Sequence, residues 1–135
     1  MASRLNPYLT FNGNAREAMT FYHSILGGEL TITTFGQTGE SDPAIADLVM
    51  HAMIKNDKGY WLMASDTMPG SPFNPGNTVT VSLSGDAGEG LEEAWEKLSE
   101  GGEIHVPFEK QPWGDLFGQC ADRYGVQWMV DVAPA

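Results

Sequence analysis

The strongest constraint on this chain is that it repeats itself: residues 8–19 laid over residues 80–91, an offset of 72, bring two turns and two helix starts into coincidence. Tyr8-Leu-Thr-Phe-Asn-Gly-Asn-Ala-Arg-Glu-Ala-Met19 falls on Thr80-Val-Ser-Leu-Ser-Gly-Asp-Ala-Gly-Glu-Gly-Leu91. Gly13/Gly85, Ala15/Ala87 and Glu17/Glu89 are identical, and Leu9/Val81, Phe11/Leu83 and Met19/Leu91 keep apolar character. Asn14 and Asp86 each precede an acid three residues on, a pairing that satisfies the free N–H groups of a helix start, so both helices are expected to begin alike.

After Asn14 the apolar residues Ala15, Ala18, Met19, Tyr22 and Leu26 recur at helical spacing until Gly27-Gly28; after Asp86 the stripe is Leu91, Ala94, Trp95 and Leu98, stopped by Gly101-Gly102. Leu26-Gly-Gly-Glu-Leu30 echoes Glu100-Gly-Gly-Glu-Ile104, so each helix leads into a strand. Asp47–Asn56 and Tyr60–Ser65, then Leu116–Asp122 and Val126–Val132, supply two hairpin strands per half around Asn56-Asp57-Lys58-Gly59 and Arg123-Tyr124-Gly125. The expected fold is α+β: two tandem βαβββ modules, about residues 1–67 and 77–135, in one domain joined by a Pro- and Gly-rich linker at 68–76 and forming a cupped mixed sheet. Thr38–Asp42 reads as a smaller loop. A four-stranded sheet with one helix on its outer face leaves an inner face to be met by another sheet or a ligand.

Charge excludes some partners. Eighteen acids against seven bases give −11, which repels a phosphate backbone or an anionic membrane surface, so neither nucleic acid nor membrane is expected as a partner. Eleven of the acids lie in residues 77–135, and Asp86, Glu89, Glu92, Glu93, Glu96 and Glu100 cluster on the second helix, which reads as a solvated face. The opening residues hold no apolar signal core, and no run approaches the roughly 18 apolar residues of a membrane span. Cys120 is the lone cysteine, so no internal disulfide forms, and the expected location is cytoplasmic.

The chain carries no Gly-x-x-x-x-Gly-Lys-Ser/Thr loop, no Gly-x-Gly-x-x-Gly turn and no Gly-x-Ser-x-Gly elbow. Nucleotide-driven chemistry and the serine-hydrolase arrangement therefore lack their usual cradles, and no cofactor is expected. Cys120 has no base closer in sequence than Arg123 and reads as a small buried residue. His23 flanks a helical stripe, and His105 alternates with Ile104 and Val106. His51 differs: it shares a strand face with Val49 and Met53, where an imidazole is either a hydrogen-bonded structural group or one that meets a ligand or acts as a base. Asp66 ends an apolar strand, where an acid caps the following turn or serves as a general base. Trp113, Phe117, Trp128 and Met129 supply apolar surface to a core or a pocket.

The ordered set Pro7-Tyr8-Leu9, Gly13-Asn14-Ala15, Glu17-Ala18, Phe21-Tyr22, Leu26-Gly27-Gly28, His51-Ala52, Met63-Ala64-Ser65-Asp66, Trp113-Gly114-Asp115, Phe117-Gly118, Asp122, Gly125-Val126 and Trp128-Met129 resembles the PhnB-like branch of the glyoxalase/bleomycin resistance/dioxygenase, or vicinal oxygen chelate, superfamily. The resemblance implies paired βαβββ modules, a homodimer, and in the superfamily's enzymes a divalent metal on the first and last strands of each module. Those positions fall here at Pro7 or Tyr8, Leu62 or Met63, Val79 or Thr80, and Met129, none of them His, Asp or Glu, so no metal site is expected. The expected function is binding of a small, partly apolar molecule by Tyr8, Phe11, His51, Met63, Ser65, Trp113, Phe117 and Met129. A metal-independent lyase or isomerase using His51 or Asp66 is the alternative. So is the 3-demethylubiquinone 3-methyltransferase label carried by some PhnB-type proteins.

Overall fold

The computed structural model describes residues 3–135. It divides into two compact units, the first ending at Asn74 and the second spanning Pro75–Ala135. Unit one holds strand β1 (Tyr8–Phe11), helix α1 (Ala15–Leu26), β2 (Glu29–Thr34), a single turn α2 (Pro43–Ala46), β3 (Val49–Lys55) and β4 (Trp61–Asp66). Unit two holds β5 (Val81–Asp86), α3 (Leu91–Ser99), β6 (Glu103–Lys110), β7 (Leu116–Ala121) and β8 (Gln127–Ala133). The mixed sheet expected of the repeat is two mixed sheets, one per unit, ordered β1-β4-β3-β2 and β5-β8-β7-β6. In each, the first strand runs parallel to the last and the other neighbours are antiparallel.

Each helix covers one face of its own sheet. Ala15, Ala18, Met19 and Tyr22 of α1 are fully buried, as are Phe11, Ala52, Ile54 and Ala64 of the strands. In unit two, Leu91, Ala94, Trp95 and Leu98 of α3 are buried together with Leu83, Cys120, Trp128, Val130 and Val132. Alternation along a strand then sends the intervening residues to the helix-free face. Gly118 is required where it stands: an added Cβ would lie 2.8 Å from the Trp95 ring and 3.0 Å from the Phe108 Cα.

The hairpins show which residues of the two units correspond. Asn56 Oδ1 accepts the N–H groups of Lys58 and Tyr60 at 3.0 and 3.1 Å; Asp122 Oδ1 accepts those of Tyr124 and Val126 at 2.8 and 3.1 Å. Lys55 and Trp61 therefore correspond to Ala121 and Gln127, and the ladders carry that match across each sheet. Tyr8, opposite Met63, corresponds to Ser82, opposite Met129; Asp66, opposite Phe11, corresponds to Val132, opposite Gly85. The mate of Tyr8 is thus two residues beyond the Thr80 expected from the sequence offset.

The helix starts differ as well. Asp86 ends β5 instead of capping a helix, and α3 begins five residues later, behind Gly88 and Gly90 in left-handed conformations at φ +91° and +79°. Gly88 and Gly90 hold this segment in a turn and delay the helix, because glycine adopts left-handed conformations freely and loses the most conformational freedom in a helix. Only Glu92, Glu93 and Glu96 of the six expected acids lie within α3. The expected loop at Thr38–Asp42 is preceded by a 3₁₀ turn at Gly36–Thr38 and followed by α2, whose start is capped by Asp42 accepting the Ala44 N–H at 3.0 Å. Among the described residues, no helix is long and apolar enough to cross a membrane.

Candidate functional site

The helix-free face of unit one gathers four of the expected ligand residues. Tyr8 on β1 lies directly opposite Met63 on β4, and Met63 lies opposite Met53 on β3. His51 shares the face of Met53, and its Nδ1 forms a 3.2 Å hydrogen bond with the Tyr8 hydroxyl. The two rings sit 5.8 Å apart with planes tilted by 32°. Ser65 is paired with Thr10, which continues the same face with hydroxyl groups. Tyr8 is 50% exposed, so the phenol is presented to solvent while the imidazole and the thioethers are half-buried. The surface offers two rings, two polarizable sulfurs and three hydroxyls, suited to a ligand with an apolar body and a polar edge.

Two expected site residues lie on the opposite, helix-facing side. Phe11 is 1% exposed, 6.4 Å from the Tyr22 ring, and belongs to the core. Asp66 is buried: Oδ1 accepts the N–H groups of Gly13 and Ala15 at 3.1 and 2.9 Å, and Oδ2 accepts that of Val49 at 2.9 Å. A carboxylate holding three backbone N–H groups is committed to structure and is not available as a general base. Asp66 thus performs the capping expected of Asn14, whose own side chain makes no cap bond. The 460 Å³ cleft over Asp47, Val49 and Asp66 at the start of α1 is lined by this cap.

In unit two, Phe117 and Met129 occupy the helix-free face, with Phe117 opposite Asp131 and Met129 opposite Gln119. Trp113, 61% exposed in the loop before β7, meets Phe117 edge-on at 6.0 Å. Asp131 is the residue that sequence reading missed. Its carboxyl is hydrogen-bonded to Asp115, and that bond, followed by burial and by the Asp115 charge, raises its pKa above the usual aspartate value. A neighbouring carboxylate accepts a hydrogen bond from protonated Asp131 and repels its ionised form, so the proton is favoured there. Asp131 Oδ1 is buried without a hydrogen-bond partner. The available signal was the alternation Gln127, Met129, Asp131, which puts an acid on the face already assigned to Met129. Cys120 is 1% exposed and its thiol is pushed up to about 11 by burial and then by Asp122, an inert core position as expected. His23 Nε2 is 2.9 Å from the Gly28 carbonyl and serves the end of α1.

The superfamily's metal does not fit these residues. The corresponding first-strand positions are Tyr8 and Ser82, and beside them stand Met63 and Met129. Hydroxyls and thioethers are poor ligands for the hard or borderline divalent ions that carboxylate and imidazole sites hold. His51 is a single imidazole already engaged by Tyr8.

Comparison with known proteins follows this geometry. The family model described as 3-demethylubiquinone-9 3-methyltransferase matches residues 3–131. Protein YjdN of Escherichia coli K12 is 30% identical over 141 aligned positions, covering 95% of this chain and 94% of YjdN. The crystal structure of PA1353 from Pseudomonas aeruginosa shares 36% identity over 99% of this chain and 100% of that one, with a TM-score of 0.89. A PhnB protein from Bacillus cereus, titled a putative 3-demethylubiquinone-9 3-methyltransferase, shares 27% identity over 97% and 100% of the two chains at a TM-score of 0.76. The family model's match over residues 3–131 places the chain in the PhnB-like family, and its twice-repeated βαβββ fold is similar to that of a glyoxylase/bleomycin resistance protein/dioxygenase domain from Frankia sp., 15% identical at a TM-score of 0.64.

Proposed function

We propose that this protein binds a small, partly apolar molecule on the helix-free face of unit one, without the superfamily's metal. The observation that carries the reading is the Tyr8–His51 hydrogen bond at 3.2 Å beside the facing methionines Met53 and Met63, with Ser65 on the same face. On unit two taken by itself, Trp113, Phe117 and Met129 are proposed as apolar ligand contacts of its own helix-free face. Nile red serves as the probe: a saturable fluorescence rise is expected, with Tyr8→Ala and Met63→Ala each weakening it about tenfold, the effect of losing roughly 1.4 kcal/mol. Absence of saturation, or an affinity in both variants equal to that of the parent protein, overturns the reading.

A second reading, a metal-independent lyase or isomerase, is favoured by one feature of His51. Tyr8 holds its Nδ1, and its other ring nitrogen has no partner among the described residues, as a general base requires. It predicts that compounds bound by the parent protein are converted and that His51→Ala abolishes the conversion; a parent that converts none of them overturns it. The methyl transfer named in the family description has less support, because the sequence carries no Gly-x-Gly-x-x-Gly turn of the kind that cradles a nucleotide-derived methyl donor. The proposed assembly is a cytoplasmic homodimer, in keeping with the exposure of Leu5, Val79 and Ile104. Sedimentation equilibrium of the full chain tests it.

A further inference from the structure

We infer that unit two carries a second, separate binding pocket, made for a small neutral polyhydroxylated molecule such as a monosaccharide. The pocket measures about 260 Å³ and is lined by Asn77, Thr80, His105, Gln119, Gln127 and Trp128. Four of these six, Asn77, Thr80, Gln119 and Gln127, have side-chain amides or a hydroxyl that make no hydrogen bond among the described residues. The two glutamines are half-buried, and their amides are not sealed off by the protein, so both are open to a ligand in the pocket.

Unit one shows what normally fills this place. Gln127 corresponds to Trp61, Ala121 to Lys55 and Gln119 to Met53. In unit one the Trp61 indole is clamped by the Arg4 guanidinium 4.0 Å from the ring centre and by Lys55 Nζ at 4.9 Å. Unit two has exchanged the indole for an amide, the lysine for a methyl and the thioether for a second amide, so the equivalent volume is open and polar. The ladder between β6 and β7 shifts register at Ile104/Val106, and that irregularity brings His105 to the pocket instead of leaving it in simple alternation.

The lining selects the ligand class. Amides and hydroxyls are each donor and acceptor, which matches the hydroxyl groups of a polyol. Glu103 lies 3.9 Å from the His105 ring and the chain carries −11, which disfavours an anion; no carboxylate lines the pocket to hold a cation. The volume falls below the roughly 300 Å³ at which drug-sized sites begin. The inference is independent of the reading for unit one.

The test is a titration of the ¹⁵N-labelled full chain with methyl α-glucoside and, separately, with inorganic phosphate, following the Gln119 and Gln127 side-chain amides by NMR. Saturable millimolar shifts with the glucoside and none with phosphate are expected. Gln127→Trp, which restores the residue of unit one, should weaken glucoside binding at least tenfold while Tyr8→Ala leaves it unchanged. Gln119→Met gives the same readout should the tryptophan not be accommodated. No saturation with the glucoside, saturation by phosphate, or unchanged binding in the glutamine variants overturns the pocket.

Discussion

The two units share a strand order and a hairpin turn, yet they anchor their helices by different means. In unit one the carboxylate of Asp66, at the far end of the last strand, reaches the N–H groups of Gly13 and Ala15 and so pins the start of α1 and the Val49 amide together. In unit two the corresponding residue is Val132, 2% exposed, and α3 starts later behind two glycines and spans nine residues against twelve. What unit two lacks in capping it offsets in aromatic packing, where Trp95 of α3 stacks on Phe108 of β6 at 5.4 Å; separately, the Trp128 indole N–H of β8 donates to Asp122 Oδ2 in the hairpin at 2.8 Å. A duplicated fold can therefore keep its topology while moving the interaction that secures the helix from electrostatics to packing.

The sharpest way to break this comparison is to give unit one the residue of unit two. Asp66→Val leaves the buried N–H groups of Ala15 and Val49 and the partly buried one of Gly13 unpaired, and should cost about 3–5 kcal/mol, read as a lower midpoint in urea denaturation. A smaller loss is expected from Trp128→Phe, which keeps the ring but removes the donor to Asp122; about 1.5–3 kcal/mol fits a hydrogen bond to a charged group. An unchanged midpoint would show that the Trp128 ring, and not its bond to Asp122, carries the contribution of this residue.

The helix-free faces differ in their acids, and pH separates them. Asp131 stands where unit one has Ser65, and contact with Asp115 raises its folded-state pKa. A raised carboxyl pKa contributes stability that is present in full below the unfolded value and is lost as pH rises through the folded value. Asp131→Asn should therefore raise the Tm relative to the parent at pH 7, with the gap closing toward pH 4; Ser65→Ala should show no such pH dependence. A gap that widens on acidification would reverse the sign and refute the proton held at Asp131. The smallest effect concerns Cys120, which corresponds to Ile54. With its thiol at about 11, native protein at pH 8 should react with a disulfide reagent only after denaturant is added.

Much of the fold was legible in the residues. The stripes Ala15, Ala18, Met19, Tyr22 and Leu91, Ala94, Trp95, Leu98 are the buried faces of α1 and α3, and the four hairpin strands fall within a residue or two of where alternation put them. The start of α3 was not legible from the repeat, because Asp86 has the chemistry of a cap while the Gly88 and Gly90 that follow favour a turn. Of the candidate site, Tyr8, His51, Met63 and Ser65 were found by family pattern and period two, and the structure puts them on one face. Phe11 and Asp66 were misplaced: the pattern identified the residues without saying which side of β1 and β4 meets α1. The open pocket at Gln127 was invisible, since it follows from comparing a residue with a counterpart 66 positions earlier in another ladder.

The sequence by itself determined the duplication, the class of each element, the apolar stripe of each helix and the poverty of metal ligands at the inherited positions, because these depend on local periodicity and side-chain chemistry. The tertiary structure alone decided that Asp66 caps α1, that Asp131 meets Asp115, and that Gln127 lines an open pocket at the position where unit one carries the Trp61 indole. Each of those outcomes depends on backbone groups brought together from distant strands, and hydrogen-bond register over that separation leaves no mark on the pattern of neighbouring residues.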